Sequence, residues 1–361
     1  MKQSSVQTAQ TTTADSLQYI VQNWQDIVKP YQIPNTRAAI VQMLTSFLPF
    51  FALWVLMYFS LQVSYILTLV MAFINAFFVV RIFIIQHDCG HQSFLGSKKW
   101  NDTIGFVCSF VSLIPYKYWA KSHSFHHGHN GQLEEDVRDI GELNVLTVEE
   151  YSKLSFWGKV GYRIYRMPII LFGVGSLYYI LIHNRLPLVK QKGFEFAKKS
   201  LLLSNLAMIA FYTVLILLLG VKTFLKIQVP IIIFFGLIAV WFFYVQHQHE
   251  HAYRQWKSNW NYVMSAIKGS TYYKLPKFVQ WMTGNIGLHH IHHLSSLIPN
   301  YNLEKCKNEN PILQEHVTVI GFWESLNFMF HKLWDEQQQR MITFREYRKM
   351  KKAKLGKVDN Q

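Results

Sequence analysis

Apolar residues are not distributed along this chain at the spacing of a soluble helical protein; they are collected into long runs separated by polar stretches. Four runs, residues 43–61, 63–85, 201–220 and 229–245, are long enough to cross a bilayer, which takes roughly 17–25 mostly apolar residues. The first two nearly touch and predict a helical hairpin with a tight turn near Gln62. The second pair is joined by residues 221–228, whose only charges are Lys222 and Lys226, and predicts a second hairpin. The pattern therefore predicts an all-α integral membrane protein with two transmembrane helical hairpins, four spans or more, and every long polar stretch on one side.

Two weaker runs qualify this count. Residues 104–114 are too short to span and are expected to lie in the interface or re-enter. Residues 167–182 are long enough, but a single extra crossing would put the last polar cluster on the opposite face from the others, so they are expected to be interfacial or paired with another short crossing. Residues 17–28 carry apolar positions at helical spacing and predict a helix on the membrane surface or on the protein. The expected organisation is a polar N-terminal segment (1–38), a membrane domain (39–335) and a basic C-terminal tail (336–361).

Charge adds an orientation. The net charge is +15, and the basic residues flank apolar runs: Lys98, Lys99, Lys117 and Lys121 follow the second run, and Arg340, Arg345, Arg348 and lysines up to Lys357 fill the tail. This placement reads as a positive-inside signal and as contacts to lipid headgroups rather than as a nucleic-acid surface. The histidine-bearing side is then cytoplasmic, in the cell membrane. Three scattered cysteines, Cys89, Cys108 and Cys306, make neither a disulfide framework nor an iron–sulfur motif. No short apolar core with a cleavage site precedes the first run, so no secretory signal is expected.

The chemistry lies in the histidines. Of 16 in the chain, most sit in compact groups just beyond the ends of the apolar runs. The groups are His87-Asp88-Cys89-Gly90-His91, His123-Ser124-Phe125-His126-His127 and His289-His290-Ile291-His292-His293. On a helix, residues three or four apart share a face, so His87 with His91, His123 with His126 and His127, and His289 with His292 and His293 can converge. A transition-metal ion takes about four to six ligands, so these eight imidazoles suit two ions. Spacing alone leaves iron, zinc, copper and nickel open, and a histidine site without thiolates is compatible with oxygen-activating iron.

A lone His-x-x-x-His is commonly a surface pair; three such groups at the mouth of a membrane domain are not. His247, at the end of the fourth run, is a candidate ninth ligand. His249 and His251 are not assigned, His129 and His290 break the spacing, and His183, His316 and His331 read as structural or exposed. Asp88, Glu250 and Glu134-Glu135-Asp136 are candidate carboxylates behind the ligands.

At these residues the chain resembles the membrane fatty acid desaturases, in particular the acyl-lipid desaturases of Gram-positive bacteria. The likeness runs through HDCGHQSF (87–94), HSFHH (123–127), KGSTYYKLPKFVQWMTGNIGLHHIHHL (268–294), IPNYNL (298–303) and LWDE near the C-terminus, and so covers most of the chain from about residue 40. The resemblance implies that His87, His91, His123, His126, His127, His289, His292 and His293 hold two iron ions (Fe2+/Fe3+), with His247 matching a further family histidine. It also implies molecular oxygen as co-substrate, a fatty acyl lipid in the bilayer as substrate and a cis double bond as product, at the Δ5 position in the nearest relatives. Electrons must come from a separate donor such as a ferredoxin or flavodoxin, because the chain has no haem, dinucleotide or iron–sulfur motif. Two other readings compete. A related di-iron hydroxylase or ketolase would add oxygen rather than remove hydrogen. A histidine-rich metal transporter would need ionisable groups within its spans, where only Arg81 is found.

Overall fold

The computed structural model describes residues 13–358; residues 1–12 of the polar N-terminal segment and residues 359–361 of the basic tail lie outside the described residues. The first helix, α1 (Thr13–Val28), buries Ile20 and Val28 in one cluster with Val263 and Ile267. One face of the helix expected at residues 17–28 thus packs on protein.

Asn35 opens α2 (Thr36–Ser60) by accepting the Ala38 N–H at 3.0 Å, an N-cap that satisfies one orphan donor. A short turn, closed by a 2.7 Å hydrogen bond between the Ser60 and Thr68 hydroxyls, leads into α3 (Tyr65–Gly90). This is the first hairpin. From α3 the chain enters α4 (Lys98–Ser112), which packs Gly105, Cys108, Ser109 and Ser112 against the bundle and exposes Phe106 and Val107. Leu113 reverses direction at φ +60°, and α5 (Tyr116–His129) returns beneath the end of α3. Residues 104–114 therefore do not span.

A loop and α6 (Val148–Lys153), started by a Thr147/Glu150 capping box, precede α7 (Phe156–Tyr165). Phe156 and Trp157 are more than two-thirds exposed, as befits a helix lying at headgroup level. A π-helical turn (Ile169–Val174) and α8 (Gly175–Leu181) then leave α7 at 61°. Both ends of this apolar segment are tied to the same side. At its start buried Arg166 donates to Gln248 at 2.9 Å, one residue past the end of the fourth long helix; at its finish Arg185 donates to the Leu113 carbonyl at 2.7 Å. The segment is bent rather than straight, and both its ends are held by residues near the histidine-bearing end of the bundle, the arrangement of a broken or re-entrant segment.

The second hairpin is α9 (Glu195–Leu219) and α10 (Val221–His247). The expected connecting segment 221–228 is helical and forms the first turns of α10; Gly220 alone makes the turn, at φ +78° where a side chain would be strained. Among the described residues four helices are long and apolar enough to cross a membrane: α2, α3, α9 and α10. Of their most apolar stretches, 56% is buried in α3 and 44% in α10, against 22% in α2 and 17% in α9, so α3 and α10 are the inner pair and the other two face lipid.

The remaining chain builds a cap over one end of the inner pair. It runs through α11 (Tyr262–Lys268), β1 (Thr271–Tyr273), α12 (Lys277–Met282), α13 (His289–Leu294) and α14 (Asn300–Glu309), then β2 (Thr318–Ile320), which pairs parallel with β1. After α15 (Phe322–Ser325) an antiparallel hairpin of β3 (His331–Asp335) and β4 (Arg340–Thr343) leads to α16 (Phe344–Val358). Arg81 of α3 anchors the cap: its guanidinium lies 4.1 Å over the Trp281 ring and donates to the Trp281 carbonyl, fixing α12 and hence the approach of α13.

Candidate metal centre

Four helix ends meet under this cap. The hydrogen bond from His91 N to the His87 carbonyl (3.2 Å) carries α3 geometry through His91, so both rings lie on one face. Gly90 permits the approach of α5, since a Cβ there would stand 3.0 Å from that of Ala120. One turn on, α5 presents His123, His126 and His127; α10 ends on His247, and α13 opens with His289.

The rings converge in two groups. Ligand nitrogens of His87, His91, His123, His127 and His292 all lie within 4.8 Å of one another, and so do those of His126, His247 and His293. His289 joins the second group, its Nε2 2.9 Å from that of His247. Further Nε2–Nε2 separations are 3.1 Å for His123 and His127, 3.0 Å for His127 and His292, and 3.3 Å for His126 and His247. The groups touch where His127 stacks on His293 with centroids 4.1 Å apart. With metal–imidazole bonds of about 2.0–2.1 Å, as for zinc, nitrogens sharing one ion fall about 3 Å apart, which is the spacing found here.

Two further observations fit a metal. His87 Nε2, His91 Nε2 and His293 Nε2 are buried without a hydrogen-bond partner among the described residues, a costly state unless something else takes their lone pairs. Burial and then mutual repulsion push His91, His123, His127, His289, His292 and His293 well below the usual imidazole range; burial takes His126 to about 4, with Glu142 opposing. For these seven rings burial favours neutral imidazole, the form that ligates.

The sequence pattern of the fatty acid desaturase family matches residues 63–323. The chain is also 44% identical to a fatty acid desaturase of Bacillus subtilis (strain 168), over 88% of this chain and 89% of that one. The chain belongs to the fatty acid desaturase family. More distant similarities reach an sn-1 oleoyl-lipid 12-desaturase of Anabaena variabilis (27% identical over 61% of this chain and 62% of the relative) and an endoplasmic reticulum omega-3 fatty acid desaturase of Vigna radiata (28%, over 65% and 62%).

In this desaturase Asp88 stands behind the first group: its Oδ1 accepts from His87 Nδ1 at 2.9 Å, and its Oδ2 accepts from Asn300 N and Nδ2 at 2.6 and 2.8 Å. The other sequence candidates are engaged elsewhere. Glu250 pairs with Arg340 at 2.9 Å, Glu134 accepts from Lys257 N, Glu135 faces Arg138, and Asp136 offers its backbone carbonyl to Gln191. The carboxylate near the second group is Glu142, absent from the sequence reading, with Oε2 3.9 Å from His126 Nδ1. Trp119 stacks on His123 at 4.7 Å and completes one wall.

The unassigned histidines divide. His129 lies on Phe125, His183 stacks on Tyr179, His316 bonds Ser16 and His331 faces Glu250. His251 is exposed. His249 and His290 are fully buried, outside both groups, with neither ring nitrogen hydrogen-bonded among the described residues.

Proposed function

We propose that this desaturase introduces a cis double bond into the acyl chain of a membrane lipid, using two iron ions held by the nine histidines and molecular oxygen. The observation that carries this reading is the pair of convergent histidine groups, five nitrogens in one and four in the other, at the end of a bilayer-length helix pair. When bound, the iron pair supplies the redox chemistry. The reaction balances with one oxygen molecule, two electrons and two protons: each of two adjacent methylenes loses a hydrogen, a carbon–carbon double bond forms, and two waters leave.

The protein's own part is to hold ligands and substrate. His87, His91, His123, His127 and His292 hold one ion; His126, His247, His289 and His293 hold the other. An acyl chain has no polar handle near its reacting carbons, so register must come from apolar walls. Phe83, 4.9 Å from Trp119 and 6.0 Å from Phe235, and Phe243, 5.7 Å from His126, are aromatic surfaces on the membrane side of the histidines that can supply such walls. The two electrons come from a soluble donor, such as a ferredoxin or flavodoxin, drawn to the basic cytoplasmic face that carries Lys98, Lys99 and Lys121.

Expression in a host lacking the enzyme, followed by mapping of double-bond positions in the lipids, is expected to show a new monounsaturated chain. The resemblance of the motif segments to Δ5 enzymes supports the bond at carbon five. A product that gains oxygen would overturn the desaturation reading in favour of hydroxylation.

The metal has its own test. Purified protein is expected to contain about two irons per chain, matching the two groups, and to lose iron and activity together on chelation. Full activity with stoichiometric zinc would exclude the iron assignment.

A further inference from the structure

We propose that Glu142 is a positioning residue for His126: fixed from behind by Arg254 and Gln248, its carboxylate holds the imidazole in the tautomer that turns Nε2 toward the second histidine group. The inference rests on the metal reading above and assigns a role to a loop outside every histidine group.

The argument begins with the ring. His126 Nε2 faces His247 Nε2 at 3.3 Å, so Nδ1 points away from the group, and the acidic oxygen it meets is Glu142 Oε2 at 3.9 Å. That is an electrostatic contact rather than a hydrogen bond, and it favours the proton on Nδ1, leaving the Nε2 lone pair for a metal.

The carboxylate is divided between two tasks. Oε1 takes both fixed donors, Arg254 Nη2 at 2.5 Å and Gln248 Nε2 at 3.4 Å, while Oε2 is turned to the ring. Gln248 is itself held by Arg166 at 2.9 Å. The Glu142 and Arg254 side chains are only 4% and 3% exposed. A buried ion pair is often no more stabilising than an apolar pair of the same volume, so its presence behind a candidate ligand calls for a role other than stability.

The backbone is shaped to deliver this oxygen. Gly141 sits at φ +74°, and a Cβ on it would lie 3.1 Å from both the His126 Cβ and the Ser122 carbonyl. The loop therefore lies directly against the α5 turn that carries His126. Gly131, at φ +75°, likewise lets the end of α5 lie against the Tyr253–Arg254 backbone, with hydrogen bonds of 2.9 and 3.1 Å to and from Gln255. The result parallels the first group, where Asp88 backs His87. Each group has one carboxylate behind one ring, Asp88 from the helix itself and Glu142 from a loop.

The test compares purified Glu142→Gln with wild type by iron content during chelator titration and by Mössbauer spectroscopy. Loss of an outer carboxylate typically weakens a metal site about 10–100-fold, so one of the two irons is expected to leave at correspondingly lower chelator concentration, with the signal of that site changed and the other kept. Glu250→Gln, which removes a carboxylate paired with Arg340, is expected to keep both irons as wild type does. If Glu142→Gln does not accumulate in membranes, Arg254→Lys carries the same comparison, because it keeps the charge but loses the Nη2 donor that fixes Oε1. Wild-type chelation and spectra in the variant would overturn the proposal. So would equal loss of both irons with an unchanged residual signal, the mark of a merely structural role. A wild-type protein without iron would overturn the metal reading itself, and this inference with it.

Discussion

His292→Ala abolishes double-bond formation and lowers the iron content of the purified protein, while the variant still accumulates in the membrane. His292 is 1% exposed and stands where the two groups meet: its ring centroid is 4.4 Å from that of His87, 5.1 Å from His91 and 5.5 Å from His289, and its Nε2 is 3.0 Å from His127 Nε2. Alanine there removes a ligand from the first group and the packing that keeps its neighbours convergent. Outer-sphere changes alone cost about 10–100-fold in affinity or activity, so loss of a ligand is expected to exceed about a hundredfold. The contrast is His183→Ala. That ring stacks on Tyr179 near the far end of the bent segment and touches neither group, so activity stays near wild type. Product formation per chain and iron per chain, at matched membrane levels, read both outcomes; a fully active His292→Ala protein would remove the basis for assigning this histidine to a metal.

The groups were legible in the sequence because helical periodicity is local. His123, His126 and His127 must share a face wherever α5 lies, and His247 drew attention because it ends an apolar run. Glu142 was not legible. Its approach to His126, 16 residues earlier, depends on the left-handed Gly141 and on Arg254, brought in from beyond α10. The acidic triplet 134–136 is a candidate only by its sequence proximity to His123–His127, whereas the pairing of Glu134 with the Lys257 backbone depends on a distant segment.

The spans show a similar division. Apolar runs marked all four, but Lys222 and Lys226 made the start of α10 look like a loop, although lysines at a helix end reach out to the interface without breaking the helix. The second run was expected to stop at residue 85, whereas α3 continues to Gly90 because α4 and α5 bury its polar end. Hydrophobicity alone gives no sign of the 61° bend before residues 169–185 or of the distant hydrogen bonds of Arg166 and Arg185 that hold the ends of this segment. The short strands β1 to β4, three to five residues each, carry too few positions for alternation to register.

Orientation in the membrane is open to a direct test, with cysteines placed singly at Gln62, Lys222, Lys99 and Lys305. The Tyr65 hydroxyl lies 3.5 Å from the Lys226 carbonyl, which puts the turns of both hairpins on one side. The histidines lie at the other ends of α3 and α10, helices of 26 and 27 residues, each about 40 Å long at about 1.5 Å per residue and so longer than the hydrocarbon layer. The two sides also differ in charge: Lys98, Lys99, Lys117 and Lys121 lie with the histidines, against Lys222 and Lys226 at the turns, so the positive-inside rule predicts that the histidine side faces the cytoplasm. All four positions are exposed, and the native Cys89, Cys108 and Cys306 are buried and give little background. In intact cells an impermeant thiol reagent is expected to label Gln62→Cys and Lys222→Cys, and to label Lys99→Cys and Lys305→Cys only after permeabilisation. The reverse pattern would put the metal groups outside the cell, beyond reach of a cytoplasmic electron donor. Labelling of Lys99→Cys but not Lys305→Cys in intact cells would be more damaging still, because it would separate the first histidine group from the third by an odd number of crossings and no single centre could hold both.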